Sequence, residues 1–193
     1  MSMYIQCIIK IILIFLFEGI SVLYLDKYTK YNNNIPLDDF IHNISSKYIK
    51  ITNNKKLIKD ILCYLPLLYM ILKHPSYICK YVDVFIILRL LRIIFNWITI
   101  LPLVGKKKKI NNLFDVFKYN GGNHDLMFSG HTIILLVGVI SYMKYYKINL
   151  NMYIILYLLI TSLSIIIVKE HYTIDVLTSY FVTYSVLKYH NLI

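Results

Sequence analysis

The chain has 193 residues, 58% of them apolar and only 16% charged, with a mean hydropathy of +0.60. Soluble domains are about half apolar and about a quarter charged, so an ordinary soluble globule is excluded, as are a disordered and a collagen-like chain. The net charge of +11 comes from 21 basic and 10 acidic residues, and lysine supplies all the cations except Arg89 and Arg92. Carried in the loops of a membrane protein, that charge points to anionic headgroups rather than nucleic acid.

Composition therefore predicts an all-α, polytopic membrane protein. A membrane-spanning helix takes about 20 mostly apolar residues. Six stretches qualify: 8–25, 57–73, 84–104, 126–143, 150–168 and 173–189. The first is too long for a signal-peptide core and lacks a small-residue cleavage site after it, so it reads as an anchor helix. The Lys- and Asn-rich stretch 26–56, broken by Pro36, reads as a solvated connector. So does the run Lys106–Lys109 with Asn111 and Asn112. The sixth stretch is the least apolar, but its hydroxyls recur at helical spacing, which suits packing between helices in lipid. Cys7, Cys63 and Cys79 show no paired spacing and read as small apolar side chains, with no disulfide and no zinc site.

An even number of spans puts both termini on one side and the loops around 26–56, 105–125 and 169–172 on the other. The loop side carries roughly twice as many lysines, Lys59 counted among them. The positive-inside rule would make it cytoplasmic.

Ionisable residues inside apolar helices are expensive and functional by default. Arg89 and Arg92 form an i,i+3 pair on the third segment, with Arg92 expected at the site and snorkelling to the interface as the alternative. The fourth segment opens with Asp125, Ser129, Gly130 and His131, and the turn between the fifth and sixth carries Glu170, His171, Tyr172 and Asp175. Under the alternation above, His131, His171 and Asp175 share one membrane face. His171 and Asp175 are i,i+4, so on a helix the carboxylate reaches one ring nitrogen, fixes the tautomer and leaves the other nitrogen basic. Such an imidazole can attack phosphorus, while a second one, His131, protonates the departing oxygen. Ser129 and Gly130 stand at a helix start, where free N–H groups and the helix dipole favour a phosphate oxygen. Each piece has a structural alternative: His131 as a packing or capping residue, His-x-x-x-Asp as a plain helix contact. A metal is not expected, because no third ligand of fixed spacing accompanies that pair. The combination is more specific than its parts.

The segments FSGHT at 128–132 and EHYTIDV at 170–176 resemble the two catalytic motifs of the sphingomyelin synthase family, a branch of the lipid phosphate phosphatase superfamily. Arg92 followed by Ile-Leu-Pro-Leu-Val-Gly at 100–105 is similar to that family's arginine-to-Leu-Pro segment, and Ile35-Pro36-Leu37-Asp38-Asp39 is loosely similar to its first-loop proline–aspartate motif. The resemblance implies one membrane-embedded domain over 1–193, with core motifs in 84–190 and no separate soluble domain. It implies a transferase that moves a phospho-headgroup from a glycerophospholipid to ceramide and releases diacylglycerol. Phosphocholine is favoured, with ethanolamine and inositol left open. His171 would be the nucleophile of a phosphohistidine-type intermediate, Asp175 its orienting carboxylate and His131 the acid–base partner. Arg92, Asp125, Ser129, Gly130, Glu170 and Tyr172 would contact substrate. No cofactor is implied. The partners are the two lipids and the bilayer, with homo-oligomerisation open. Golgi or plasma membrane is the expected location, with the site on the exoplasmic side, where Asn43-Ile44-Ser45 would accept a glycan. The lysine count opposes that orientation, although heavy Lys, Asn and Ile usage throughout weakens it.

The chain departs from the family in having Asn123-His124 where Cys-Gly is usual. The wider superfamily's KxxxxxxRP motif is not visible, and Ile165 replaces its arginine six positions before the second histidine. A phosphate monoester carries nearly two charges and a diester one, so a clamp with fewer arginines penalises the monoester more. Transfer from a diester is therefore preferred to phosphatidate hydrolysis. The competing readings are a lipid phosphate phosphatase with water as acceptor and a non-catalytic lipid-binding scaffold.

Overall fold

The computed structural model describes residues 3–29, 37–49, 51–102, 110–118, 122–123 and 127–193. Asp125, Pro36 and Lys106–Lys109 lie outside them. The described residues are helical, with no strand among them.

The six apolar stretches fold as six long helices: α1 (Met3–Tyr28), α3 (Asn53–Lys73), α5 (Val82–Ile98), α7 (Gly130–Tyr146), α8 (Met152–Ile167) and α9 (Thr173–Tyr189). Their ends follow local chemistry. Thr52, Ser129 and Asn151 each cap the N-terminus of α3, α7 and α8 with a side-chain oxygen. Hence α7 begins at Gly130, four residues later than the hydropathy suggests. α5 ends at Ile98, short of the expected 104, with Pro102 just beyond.

Two short helices fall in stretches expected to be connectors, α2 (Phe40–Tyr48) and α6 (Leu113–Lys118); α4 (Pro75–Ile78) and a 3₁₀ turn at Cys79–Tyr81 lead into α5. α2 corrects the reading of 26–56 as solvated throughout. Asp39 caps it, accepting from the N–H groups of Ile41 and His42, and His42 and Ser45 are buried against the rest of the fold.

α3 and α7 cross in close contact. A Cβ on Gly138 would lie 2.5 Å from the backbone nitrogen of Leu67, so only glycine lets these backbones meet. Around the seam, Met70, Leu88, Phe128, Ile133, Val137 and Leu187 form the apolar core. Outward faces are apolar too: Leu13 and Phe17 on α1, Leu65 and Leu72 on α3, Leu159 and Ile160 on α8 are all exposed. Polar and charged side chains lie inside instead, Glu18, Lys59, Arg89, Arg92, Asn96 and Asp175 among them.

Among the described residues one helix, Tyr4–Lys27, is long and apolar enough to cross a membrane by itself, and Met152–Ile167 is apolar but shorter. The other long helices have 16 to 21 residues. α3 in particular is diluted by Lys55, Lys56, Lys59 and Asp60 in its first turns.

Candidate active site

Two helix N-termini meet at the site. α7 starts at Gly130, and Ser129 caps it by accepting from the Thr132 N–H at 3.3 Å. α9 starts at Thr173, and Asp175 in its first turn accepts from the Tyr172 N–H at 2.9 Å. The two starts are tied together, because the Ser179 hydroxyl donates to the Asp175 carbonyl at 2.7 Å and to the Ser129 carbonyl at 3.2 Å. The paired motifs thus converge although forty residues separate their histidines.

His131 and His171 face each other edge-on, with ring centroids 6.1 Å apart. Asp175, fully buried, places Oδ2 3.6 Å from His171 Nδ1. The route differs from the expected stacking on one helix. His171 precedes α9, and the chain turns sharply at Lys169, whose φ is 56°. Asp175 reaches back from the first turn of the helix as a capping carboxylate. Asp175 thus stands on the Nδ1 side of the His171 ring.

Both histidines line a cavity of about 100 Å³ together with Gly130, Tyr64, Arg89 and Arg92. Arg92 donates through Nε to the Phe128 carbonyl at 2.7 Å and pairs with Glu18. Arg89 pairs with the same carboxylate. Neither arginine snorkels outward; both are buried.

The remaining expected site residues take other places. Ser129 is fully buried as a cap, so its hydroxyl serves α7. Tyr172 is a strut: its hydroxyl donates to the Pro102 carbonyl and accepts from the Leu37 N–H, each at 3.1 Å. Glu170 accepts a 2.5 Å bond from Lys59. Asp125 lies outside the described residues. Asn123, where the family's pattern differs, is fastened to α1 by Asp26, which accepts from its backbone and side-chain nitrogens at 2.9 and 2.8 Å. Ile165 is fully buried among Cys63, Ile166 and Val176.

Sequence reasoning missed a cluster behind His131. Lys59, counted among the loop-side lysines, is completely buried. Its ammonium lies 2.5 Å from Asp60, 2.5 Å from Glu170 and 3.1 Å from His131 Nε2. Asp60 Oδ1 is itself 3.2 Å from that nitrogen. Asp60, His131 and Glu170 offer three ligand atoms within 4.8 Å of one another, a spacing that suits a metal ion. The cation placed among them is the chain's own Lys59. Burial alone would raise the Glu170 carboxyl, but the Lys59 ammonium and the His131 ring outweigh it and hold the group below its ordinary range.

A second missed feature is a clamp from the first loop. Asp39 caps α2 and also accepts from the Thr173 N–H at 2.7 Å and the Thr173 hydroxyl at 3.0 Å. Burial raises its carboxyl, yet the N–H bonds from Thr173 and His42 prevail and leave it below the usual value. His42 donates from Nε2 to the His171 carbonyl at 3.0 Å. Replacing Asp39 by Ala removes caps from two helices and is expected to cost about 2 kcal/mol, counting about 1 for each. Thermal unfolding of the purified protein checks this; a loss near zero would show that the clamp is not formed.

Residues 124–192 match the family model described as PAP2 superfamily C-terminal, a segment that contains both histidine motifs. The match supports membership of the lipid phosphate phosphatase superfamily, whose members are phosphatases or phosphotransferases of phosphate esters and are typically membrane-associated. No curated protein matches the chain.

Proposed function

We propose that this protein is a multi-pass membrane transferase that moves a phospho-headgroup, phosphocholine by preference, from a glycerophospholipid to ceramide. The observation that carries the reading is the pair of imidazoles, 6.1 Å apart, opening with two arginines on one cavity. His171 Nε2 attacks phosphorus, the bond to the diacylglycerol oxygen breaks, and His131 gives that oxygen its proton. The ceramide hydroxyl then passes its proton to His131 and attacks the phosphorus, and the P–N bond breaks. Asp175 holds His171 in the tautomer that attacks and stabilises the charge it gains. Asp60 stands 3.2 Å from His131 Nε2, able to accept a proton held there.

Preference for a diester donor rests on the cations present. Ile165 fills the place of the superfamily arginine in an apolar core, so the clamp lacks a charge that a monoester needs. The other long helices, with exposed apolar side chains on α3, α5, α8 and α9, would join α1 in the bilayer. Asn43 is exposed on α2, next to the His42 that touches His171, so a glycan there would report the side of the active site directly.

The test is reconstitution of purified protein in phosphatidylcholine liposomes with fluorescent ceramide. The expected products are a fluorescent phosphosphingolipid and diacylglycerol in equal amounts. Release of phosphate from phosphatidate, with ceramide unchanged, would replace this reading by the phosphatase. Substituting ethanolamine or inositol donors assigns the headgroup.

A further inference from the structure

Three consecutive residues, His171, Tyr172 and Thr173, are held by α2 and the residues that lead into it. They lie between the turn at Lys169 and the body of α9. His42 donates from Nε2 to the His171 carbonyl at 3.0 Å. The Leu37 N–H donates to the Tyr172 hydroxyl at 3.1 Å. Asp39 accepts from the Thr173 N–H at 2.7 Å and from the Thr173 hydroxyl at 3.0 Å. The rings of His42 and Tyr172 also meet, with centroids 5.5 Å apart.

These contacts close into a loop. Asp39 Oδ1 caps α2 by accepting from the His42 N–H at 3.1 Å, while Oδ2 accepts from Thr173 at the start of α9. One carboxylate therefore ties two helix starts together, and the His42 ring crosses between them to reach residue 171. The carbonyl it meets lies ahead of α9, outside that helix's own hydrogen-bond ladder. A carbonyl buried in such a turn is costly without a donor, and His42, itself buried, supplies one. His131 is placed by other means: it stands in the first turn of α7, and its Nε2 faces Lys59 and Asp60 on α3. The ring at 42 thus bears directly on His171, while α3 anchors His131.

We propose that His42 is a positioning residue, whose bond to the carbonyl of His171 holds that imidazole in the orientation from which it reacts. This deepens the proposed function and rests on its assignment of His171 as the nucleophile. His42 acts through His171, so its effect falls on the rate of the chemical step. Displacing a reacting group by about 1 Å can cost about 10²-fold in rate.

The experiment compares H42Q, H42N and H42L in purified protein reconstituted with phosphatidylcholine and fluorescent ceramide. Glutamine carries its amide nitrogen at the reach of Nε2, asparagine falls one bond short, and leucine has no donor. H42Q is expected to keep kcat within about threefold of wild type. H42N and H42L are expected to lose about tenfold or more in kcat, with KM within about threefold. A second readout needs no turnover: the rate at which diethyl pyrocarbonate modifies each imidazole, mapped by mass spectrometry. H42N and H42L should change the rate at His171 by about threefold or more and leave that at His131 unchanged, and H42Q should change neither. Either loss variant, once folded, is enough for the test. If both unfold while H42Q stays folded, or if H42Q loses as much kcat as H42L, the bond serves the fold alone and the positioning role falls. A His171 modification rate that follows the donor at 42, with no headgroup transfer in any variant, overturns the proposed reaction alone. Headgroup transfer at the wild-type kcat in all three variants overturns the role of His42 alone.

Discussion

Replacing His171 with Ala is expected to lower headgroup transfer by about 10⁴-fold or more, the scale seen when a covalent nucleophile is removed. Among the described residues, His171 is the cavity side chain with Asp175 beside its Nδ1. His131 has a different environment: its Nε2 is shared between Lys59 and Asp60. His131→Ala should therefore cost less, about 10²–10⁴-fold, as loss of a proton donor does. A second readout separates nucleophile from acid. Phospholipid labelled in its phosphate should leave acid-labile label on wild-type protein and none on His171→Ala. Activity of the His171 variant within tenfold of wild type would mean that phosphorus never bonds to that ring. The fold should survive, since the fixed features of the turn are backbone ones: the Tyr172 N–H on Asp175 and the His42 ring on the residue-171 carbonyl.

The six long helices were legible in the sequence because hydropathy is a length-scale signal, and each apolar run overlaps most of the helix it forms. Helix ends were less legible. The start of α7 depends on the Ser129 hydroxyl meeting one N–H, and a hydropathy window averages over such a contact. The histidine pair and Asp175 were legible as motifs, but the turn that brings Asp175 back to His171 was not, since i,i+4 spacing describes a helix and residue 171 precedes one. Glu18 was within reach. The rule that flagged Arg89 and Arg92 as charges inside an apolar segment applies equally to an acid in the first helix, and a buried pair of arginines demands a counter-charge. Lys59 was harder. It stands near the start of a segment, where a lysine ordinarily reaches water, and only its three partners, drawn from two other points of the chain, show that it points inward. The clamp of Asp39 on Thr173 spans 134 residues and left no periodic trace. Long-range polar contacts depend on the tertiary path, which the pattern along the chain does not encode.

Lys59→Met is expected to destabilise the protein by about 3–5 kcal/mol, the cost of removing one partner from a buried ion cluster. Methionine matches the length of the lysine stem, so the volume is kept and the charge alone is lost. Asp60 and Glu170, each 2.5 Å from the ammonium, would then face each other and His131 with nothing between them. For a chain of this size the loss corresponds to a fall in Tm on the order of 10 °C. The double variant K59M/E170Q removes one of the stranded carboxylates and should recover part of that fall, which a loss of packing would not. Acid supplies an independent check. Glu170 is held below its ordinary value of 4.5, so the folded state releases its proton more readily than the unfolded chain. Its contribution to stability is complete above about pH 4.5 and is lost as pH falls through the depressed value. Wild-type Tm should therefore drop steeply below pH 4.5, and K59M, which has no such pair to lose, should show a shallower slope. If K59M unfolds within about 2 °C of wild type and follows the same acid profile, the ammonium is not seated among these carboxylates, and His131 must take its orientation from elsewhere.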